Sequence, residues 1–211
     1  MKLVDLNNYR RKEIFNFNKG ISNPFYVLGF NIDVTEVYEY VKKEGLSFYY
    51  AFIWLCTEAI NMTEEFHYIF ENGELYYIEQ RHPSFTDMKK DDDLYYIVTM
   101  KHDNDIKSFC QRAKELSENQ NHFINHQTET NDLIYYTCVP WLEMTALTNE
   151  RDLSNPKAKE DSVPRIGWGK YIQEKGRKKM NVSIEVNHIL IDGIHINYFY
   201  QNLCKLIEGL K

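Results

Sequence analysis

Cysteine is scarce in this chain, and its four copies lack the spacing of metal sites and redox motifs. The cysteines, at positions 56, 110, 138 and 204, form no Cys-x-x-Cys pair, and most of their neighbours are apolar. Such residues are typical of small core positions in a protein from a reducing compartment. The pattern argues against a disulfide framework and predicts a cytoplasmic protein.

The chain also lacks an excess of basic charge and any long apolar segment. It has 25 Lys and Arg residues against 31 Asp and Glu residues, a net charge of −6. Without a basic face, binding to nucleic-acid phosphates is not expected. The most apolar stretch, residues 48–56, is too short to span a bilayer, and the first residues carry no apolar signal core. We therefore expect neither nucleic acid nor a membrane as a partner.

Glycine and proline are few, at nine and five residues, and no repeat or low-complexity linker divides the sequence. Its 211 residues are enough for one large domain with a real core. We therefore predict a single domain over residues 1–211. What is abundant is aromatic: 16 tyrosines and 12 phenylalanines, which favour a sheet-rich protein with an aromatic-lined pocket.

Hydrophobic periodicity predicts several helices and strands along the chain. The predicted helices cover residues 34–44, 48–61, a segment from 103 or 105 to 118, and a last helix with an apolar stripe from 196 to 210. The predicted strands cover residues 66–70 and 74–79, joined by an Asn-Gly turn, and residues 94–100, 133–139, 166–173 and 180–186. Residues 148–163 are polar and predict a long loop. Together these elements predict an α/β two-layer sandwich with a mixed β-sheet packed against helices.

The most informative segment is Asn187–Ile194, with the sequence Asn-His-Ile-Leu-Ile-Asp-Gly-Ile. Polar and apolar residues alternate up to His188, so the imidazole lies where a buried strand stops and a turn begins. A histidine in that position can act as a base near neutral pH. Asp192 can orient the local structure, and Gly193 permits a tight turn into the following helix.

This segment, His188-x-x-x-Asp192-Gly193-x-His195, resembles the signature of the trimeric chloramphenicol acetyltransferase family. Further segments resemble the family in the same order and at nearly its spacing, over essentially the whole chain. They are Asn8–Phe17, Glu65-Phe66, Pro83-x-Phe85-Thr86, Pro140-Trp141 and Gly169-Lys170-Tyr171. Each one is weak alone, and the ordered series is what makes the resemblance specific.

The resemblance implies the CoA-dependent acyltransferase fold and a homotrimer with active sites at subunit interfaces. Acetyl-CoA would enter one side of a tunnel and the alcohol acceptor the other. The implied reaction is direct acetyl transfer to a hydroxyl of chloramphenicol, which inactivates the antibiotic and confers resistance. His188 would correspond to the general base and Thr137 to the residue whose hydroxyl stabilises the oxyanion. Asp192 and Arg11 would form a supporting ion pair.

The resemblance also assigns binding residues. Trp141, Lys170 and Tyr171 would contact CoA, as aromatic surfaces and a cation for its phosphates. The acceptor pocket would be formed by Phe17, Tyr26, Tyr95, Arg165 and Gly167. No metal is expected.

Four departures from the family fall near these sites. Asn187 replaces the first histidine of the family's His-His pair, and Asn18 replaces a tyrosine beside the pocket. Arg165 and Gly167 stand where the family has an apolar residue and a threonine. A guanidinium there would need a partner and could repel or redirect an apolar drug. The loop between Trp141 and Lys170 is also a few residues longer than in the family.

Two alternative functions follow from these departures. The first is the same acetyl transfer to a different alcohol acceptor, with weak or no activity on chloramphenicol. The second belongs to another class, a catalytically idle trimer that binds small aromatic ligands. The intact His188, Asp192 and Arg11 argue against it.

Single residues in these segments also allow other interpretations. On a helix, His188, Asp192 and His195 would share one face and could bind a metal, although Gly193 and the preceding alternation disfavour a helix there. Cys138, next to Thr137, could be a nucleophile, but no basic residue adjoins it in sequence. His195 is interpreted as a packing residue at the start of the last helix.

Overall fold

The computed structural model describes residues 1–89, 91–155 and 157–210. Within these ranges the helices are α1 (Lys12–Lys19), α2 (Thr35–Glu44), α3 (Phe48–Asn61), α4 (Ile106–Asn119) and α5 (Gly193–Glu208). The strands are β1 (Lys2–Leu3), β2 (Phe25–Asp33), β3 (Tyr68–Glu71), β4 (Glu74–Tyr77), β5 (His82–Met88), β6 (Tyr95–Thr99), β7 (Leu133–Val139), β8 (Arg165–Gly169), β9 (Ile172–Glu174) and β10 (Arg177–Asn187).

The main sheet has the strand order β2-β10-β8-β7-β5-β6, and β9 pairs with β10 outside that path. The β5–β7 and β7–β8 pairs are parallel and the other pairs are antiparallel. Helices α3 and α5 pack on one face of this sheet, α3 against β8 and α5 against β2. The predicted α/β sandwich with a mixed sheet is therefore confirmed.

Helix α3 forms the centre of the core. Ser47 precedes its first turn, and eight of its residues are buried, because its sequence is apolar nearly all round. Phe52 of α3 packs edge-on against Trp168 of β8, with ring centroids 5.0 Å apart. Thr57 of α3 hydrogen-bonds the hydroxyl of Tyr136 at 2.8 Å. On α5, Phe199 packs against Phe30 of β2.

A small sheet of order β1-β4-β3 stands beside the main sheet. Its β3–β4 hairpin turns at Asn72 and Gly73, which both have positive φ, as a two-residue hairpin turn requires. Arg81, buried to 1 % exposure, joins this region to the main sheet. Its guanidinium donates to the backbone carbonyls of Phe66, Tyr68, Asn131, Leu133 and Ser162.

The predicted elements agree with the structure in part. The bounds of α3 and β7 were predicted correctly, and the Asn-Gly hairpin, α2, α4 and α5 were predicted with small shifts at their ends. The single strand predicted over residues 166–173 is wrong: β8 ends at Gly169 and β9 begins at Ile172. Helix α1 and the strands β2 and β5 were not predicted.

The missed strands have a physical reason. Gly29 interrupts the side-chain pattern of β2, and Pro83 lies in β5, where proline is unusual for a central strand. The loop over residues 148–163 was predicted correctly for the residues described, with a short 3₁₀ turn at Ala158–Glu160. Position 156 of this loop lies outside the described residues. Among the helices described, none is long and apolar enough to span a bilayer.

Candidate active site

His188 follows the last residue of β10 and lies where the strand gives way to a turn. Its backbone N–H donates to the carbonyl of Pro24 at 2.8 Å, and its side chain is 46 % exposed. The ring of Tyr26 lies beside the imidazole, with centroids 4.8 Å apart. Burial raises the pKa of Tyr26 to about 12, with a smaller contribution from Asp192. The imidazole is therefore accessible on one side and flanked by a neutral phenol on the other.

Arg11 and Asp192 form an ion pair that holds the turn after His188. Their Nη2 and Oδ2 atoms are 2.7 Å apart, and the two side chains are 11 % and 25 % exposed. A second guanidinium nitrogen of Arg11 donates to the carbonyl of Leu190. The other carboxylate oxygen of Asp192 lies 3.5 Å from Nε2 of His188. The arginine just before α1 thus ties the N-terminal segment to the turn that carries the imidazole.

His195 completes this turn from the first turn of α5. Asp192 is the N-cap of α5, and its backbone N–H donates to Nδ1 of His195 at 2.9 Å. A nitrogen that accepts a hydrogen bond carries no proton, so the ring proton lies on Nε2, which is 3.5 Å from Glu65. Burial lowers the pKa of His195, and the nearby Arg11 and Arg10 act in the same direction against Glu65 and Asp192. The interpretation of His195 as a packing residue at a helix start is confirmed, with a capping role added.

Thr137 lies in a separate place, in a cleft of about 1320 Å³ on the sheet. Its hydroxyl hydrogen-bonds the hydroxyl of Thr86 on the neighbouring strand at 3.1 Å. Tyr95, Tyr135 and Arg165 line the same cleft, which continues past Trp141 to the start of α3 at Ser47. The side chain of Thr137 is therefore in a concave, partly aromatic site that a ligand can occupy.

The residues predicted to contact CoA lie around one end of this cleft. Trp141 lines it and is 67 % exposed. Lys170 is exposed, and its backbone N–H donates to the carbonyl of Leu142. The ring of Tyr171 packs against Tyr38 and Phe48 at centroid distances of 5.8 and 5.9 Å. Trp141 therefore offers an exposed ring at the cleft, and Lys170 and Tyr171 lie next to it through their contacts with Leu142 and Phe48.

The structure brings only some of the predicted acceptor residues together. Tyr95 and Arg165 line the cleft with Thr137, whereas Tyr26 lies beside His188. Phe17 on α1 is 76 % exposed and is not among the residues that line the cleft.

Two further expectations for the pocket are changed by the structure. Gly167 does not line the cleft: a Cβ at this position would lie 3.1 Å from Leu147, because that leucine fills the space left by the missing side chain. Arg165 already has partners. It donates to the carbonyl of Glu150 at 2.9 Å and pairs with Asp161 at 3.1 Å. Asn18, beside the expected pocket, is buried in α1.

His188 and Thr137 do not meet within one chain. Through Gly167, Thr137 stands in register with Ser183 of β10. From Ser183 to His188 strand β10 advances roughly 16 Å. Strands β7 and β10, which flank β8, are roughly 10 Å apart. His188 and Thr137 are therefore separated by roughly 19 Å. The molecule therefore presents two groups of residues: one around His188, Asp192 and Arg11, and one in the cleft around Thr137.

Sequence reasoning missed two carboxylates that line the cleft. Glu129 accepts hydrogen bonds from the hydroxyls of Tyr135 at 2.7 Å and Thr99 at 3.3 Å. Asp87 accepts from Tyr50 and Ser117, each at 2.7 Å. No local motif points to them, since they reach the cleft from a loop and from the unpredicted strand β5.

The alternative chemistries have little support in the geometry. Burial raises the pKa of Cys138 to about 12, so its sulfur is a thiol at neutral pH and a poor nucleophile. His188 lies before the first residue of α5, so it does not share a helix face with Asp192 and His195. Over the described residues, no group of three or more metal-binding side chains is clustered.

Comparison with known proteins identifies the family of the chain. The family model described as chloramphenicol acetyltransferase matches residues 1–204. A chloramphenicol acetyltransferase of Clostridium perfringens is 25 % identical over 213 aligned residues, covering 99 % of this chain and 95 % of that protein.

Two solved structures are similar in fold. A chloramphenicol acetyltransferase has a TM-score of 0.88 at 22 % identity and covers 98 % of this chain and 99 % of its own. A probable dihydrolipoamide acetyltransferase from Listeria monocytogenes has a TM-score of 0.67 at 14 % identity, with 100 % and 96 % coverage. Since the family model spans nearly all of the sequence, the protein belongs to the chloramphenicol acetyltransferase family.

Proposed function

We propose that this protein is an acetyl-CoA-dependent O-acetyltransferase that acetylates a hydroxyl of chloramphenicol. The observation that carries the proposal is the accessible imidazole of His188 on a turn held by the Arg11–Asp192 ion pair. A turn secured by a partly buried ion pair is a costly arrangement for a surface histidine with no chemical role. Membership of the family supplies the reaction class.

In this mechanism His188 is the general base. Acetyl-CoA supplies the acetyl group as a thioester. His188 takes the proton from the acceptor hydroxyl as its oxygen attacks the thioester carbonyl carbon, since a neutral hydroxyl is a weak nucleophile. The hydroxyl of Thr137 donates a hydrogen bond to the carbonyl oxygen as negative charge develops there. When the carbon–sulfur bond breaks, the protonated His188 returns the proton to the leaving thiolate.

The two groups of residues are joined in this proposal by a neighbouring subunit. Reacting groups need to lie about 3–3.5 Å apart, and roughly 19 Å separates His188 from Thr137 within one chain. We therefore propose a homotrimer in which the His188 of one subunit faces the Thr137 cleft of the next. Each chain, treated as one domain, would contribute a different half to two sites.

The cleft is suited to both substrates. Trp141 and Tyr171 offer aromatic surface, and Lys170 offers a cation for the phosphates of CoA. Tyr95 and Arg165 would line the acceptor side, with Phe17 and Tyr26 contributed from the half that carries His188. Residues of this kind around a cleft of about 1320 Å³ can enclose a drug-sized acceptor and part of the cofactor.

The test is a thiol-release assay with acetyl-CoA and chloramphenicol. Wild-type protein should release CoA thiol only when chloramphenicol is present, and His188→Gln should lower kcat by a factor of roughly 10²–10⁴. His126→Gln is the matched control, because His126 is an exposed histidine in a short 3₁₀ turn, far from His188 in the sequence. Equal rates for wild type and the His188 variant would refute the assignment of the base.

A second acceptor is favoured by the carboxylates in the cleft. Glu129 and Asp87 accept hydrogen bonds from neutral hydroxyls, so their charges remain to attract a cationic ligand, while Asp161 balances Arg165. The same transfer would then favour an alcohol that also carries an amine. Comparing chloramphenicol with a panel of neutral and amine-bearing alcohols separates the two acceptors, and fast turnover of chloramphenicol alone would eliminate the second. The idle trimer would bind such ligands but release no CoA thiol with any of them.

A further inference from the structure

The polar positions of β10 are buried under the long loop that precedes β8. Ser183, Glu185 and Asn187 alternate with the apolar residues of the core face, yet they are only 1 %, 4 % and 4 % exposed. Ser183 accepts a hydrogen bond from the backbone N–H of Leu147 at 3.0 Å. Glu185 accepts one from the backbone N–H of Asn149 at 2.9 Å. The strand that leads to His188 is therefore fastened to this loop at every second residue.

Asn187 is the last of these contacts and the one nearest the imidazole. Its side-chain Nδ2 donates to the backbone carbonyls of Lys159 at 2.8 Å and Asp161 at 3.0 Å. Its Oδ1 accepts from the backbone N–H of Ile189 at 3.0 Å. The amide therefore uses both of its N–H bonds on the loop and its oxygen on the turn.

The backbone of Asn187 holds the same turn. Its carbonyl accepts hydrogen bonds from the N–H groups of Leu190 at 3.0 Å and Ile191 at 2.9 Å. Three consecutive N–H groups after His188 are thus satisfied by one residue. Asparagine is suited to this role because its side chain can bond the backbone two residues on and so form a local turn.

We propose that Asn187 is a positioning residue for His188, and that it acts by fixing the turn of residues 188–191 to the part of the loop around Lys159 and Asp161, which is rigid. The proposal rests on the role of His188 as base. It assigns a function to the position where the family's first histidine is replaced. The loop then serves as a fixed support for the active site rather than a gate that opens.

The charges around the loop support its rigidity. Arg151, whose side chain is 7 % exposed, pairs with Glu185 at 2.6 Å and also with Asp161. Asp161 in turn pairs with Arg165 of the cleft wall. The guanidinium of Arg151 also lies over the ring of Phe25, 3.6 Å from its centroid. Two positive and two negative side chains balance one another, so moving the loop would leave buried charges unpaired.

Three substitutions separate the two halves of the Asn187 amide. Asn187→Asp keeps an oxygen for Ile189 but places a carboxylate against two carbonyl oxygens. Asn187→Ser keeps a short acceptor, lacks both loop contacts and introduces no charge, so it covers the case in which the aspartate variant does not fold. Asn187→His restores one acceptor and one donor. The control is Asn181→Ser, on the same face of the same strand, where the side-chain N–H donates to Asn31 at 3.4 Å and the side-chain oxygen has no hydrogen-bond partner among the described residues.

Acetyl transfer is measured first. A shift of about 1 Å in a catalytic group costs on the order of 10²-fold in rate, so we expect this loss in kcat for Asn187→Asp and a smaller loss for Asn187→Ser. Asn187→His should recover most of the rate, and Asn181→Ser should match wild type. A merely structural role would not show this dependence on a returned donor and acceptor. Full activity in both Asn187→Asp and Asn187→Ser would overturn the proposal.

Amide hydrogen exchange gives a readout that does not require activity. The N–H groups of residues 189–191 and 157–161 should exchange at least about tenfold faster in Asn187→Ser than in wild type or Asn181→Ser. The variant lacks the two hydrogen bonds that tie the turn to the carbonyls of Lys159 and Asp161, so both segments open more readily. Unchanged exchange would refute the link between turn and loop. If wild-type protein transfers no acetyl group, the proposed function fails, and the exchange experiment still decides whether Asn187 holds the turn.

Discussion

Arg11 and Asp192 lie 2.7 Å apart although almost the entire chain separates them in sequence, and the same arginine also bonds the carbonyl of Leu190. The residue before α1 and the N-cap of α5 thus support one turn. Because both side chains are largely shielded from water, removing either one leaves a charge without its partner. The energetic consequences of this pair can be measured directly.

We expect Arg11→Met and Asp192→Asn each to lower the free energy of unfolding by about 2–4 kcal/mol, because each leaves one charge unpaired. The double substitution should cost less than the sum, with a coupling energy of about 1–3 kcal/mol. Urea unfolding of the four proteins measures this cycle. Strictly additive losses would mean that the ion pair does not stabilise the turn.

The stability of the protein should fall as the pH drops below about 6.5, the ordinary pKa of histidine, in part because of His195. Burial lowers its pKa in the folded protein, so between the two values the unfolded chain binds a proton that the folded protein does not. Stability then decreases as pH falls through this window and levels off below the folded pKa. Protonation also removes the acceptor for the N–H of Asp192.

His195→Gln is the matched variant for this pH effect. Glutamine at this helix position can accept the same hydrogen bond without titrating. Lowering the pH from 7.5 to 5.5 should therefore reduce the free energy of unfolding of the wild type more than that of the variant. His82, whose pKa is also lowered by burial, is common to both proteins and cancels. An unchanged difference would contradict the prediction.

Thr137→Val should lower kcat by on the order of 10²-fold, as expected for the loss of one donor to the oxyanion. Valine keeps the shape of the side chain, and the hydrogen bond to Thr86 that it also removes is worth about 1 kcal/mol in stability. Thr137→Ser retains the hydroxyl and should keep most of the rate. Steady-state kinetics with acetyl-CoA decide the matter, and a fully active valine variant would exclude Thr137 as the donor.

Arg81→Lys should destabilise the fold by about 2–4 kcal/mol, because an ammonium group cannot bond five carbonyls arranged around a planar guanidinium. Arg112→Lys is the control, since Arg112 is 42 % exposed and pairs with Asp103 at the surface; we expect a change of about 0.5 kcal/mol or less there. Thermal or urea unfolding gives both values. Similar losses at the two sites would show that the five contacts of Arg81 contribute little.

Local patterns were enough to predict much of the fold. The apolar run of α3 and the aromatic-rich run of β7, ended by Pro140, predicted both elements with correct bounds, because each pattern is uninterrupted. Strands β2 and β5 escaped prediction because Gly29 and Pro83 break such patterns, and pairing with neighbouring strands overrides that local weakness. Arg165 was expected in the acceptor pocket, and its partner Asp161 became visible only in the fold.

The sequence by itself determined which chemical groups the molecule has and where the local structure changes. The turn after His188, the N-cap Asp192 and the start of the following helix all lie within eight residues of the sequence, since caps and turns depend on near neighbours. Only the tertiary structure decided which groups meet. It brings Arg11 to Asp192, covers Asn187 with a loop and separates His188 from Thr137, because strand order and register are set by burial of the whole sheet rather than by any one segment.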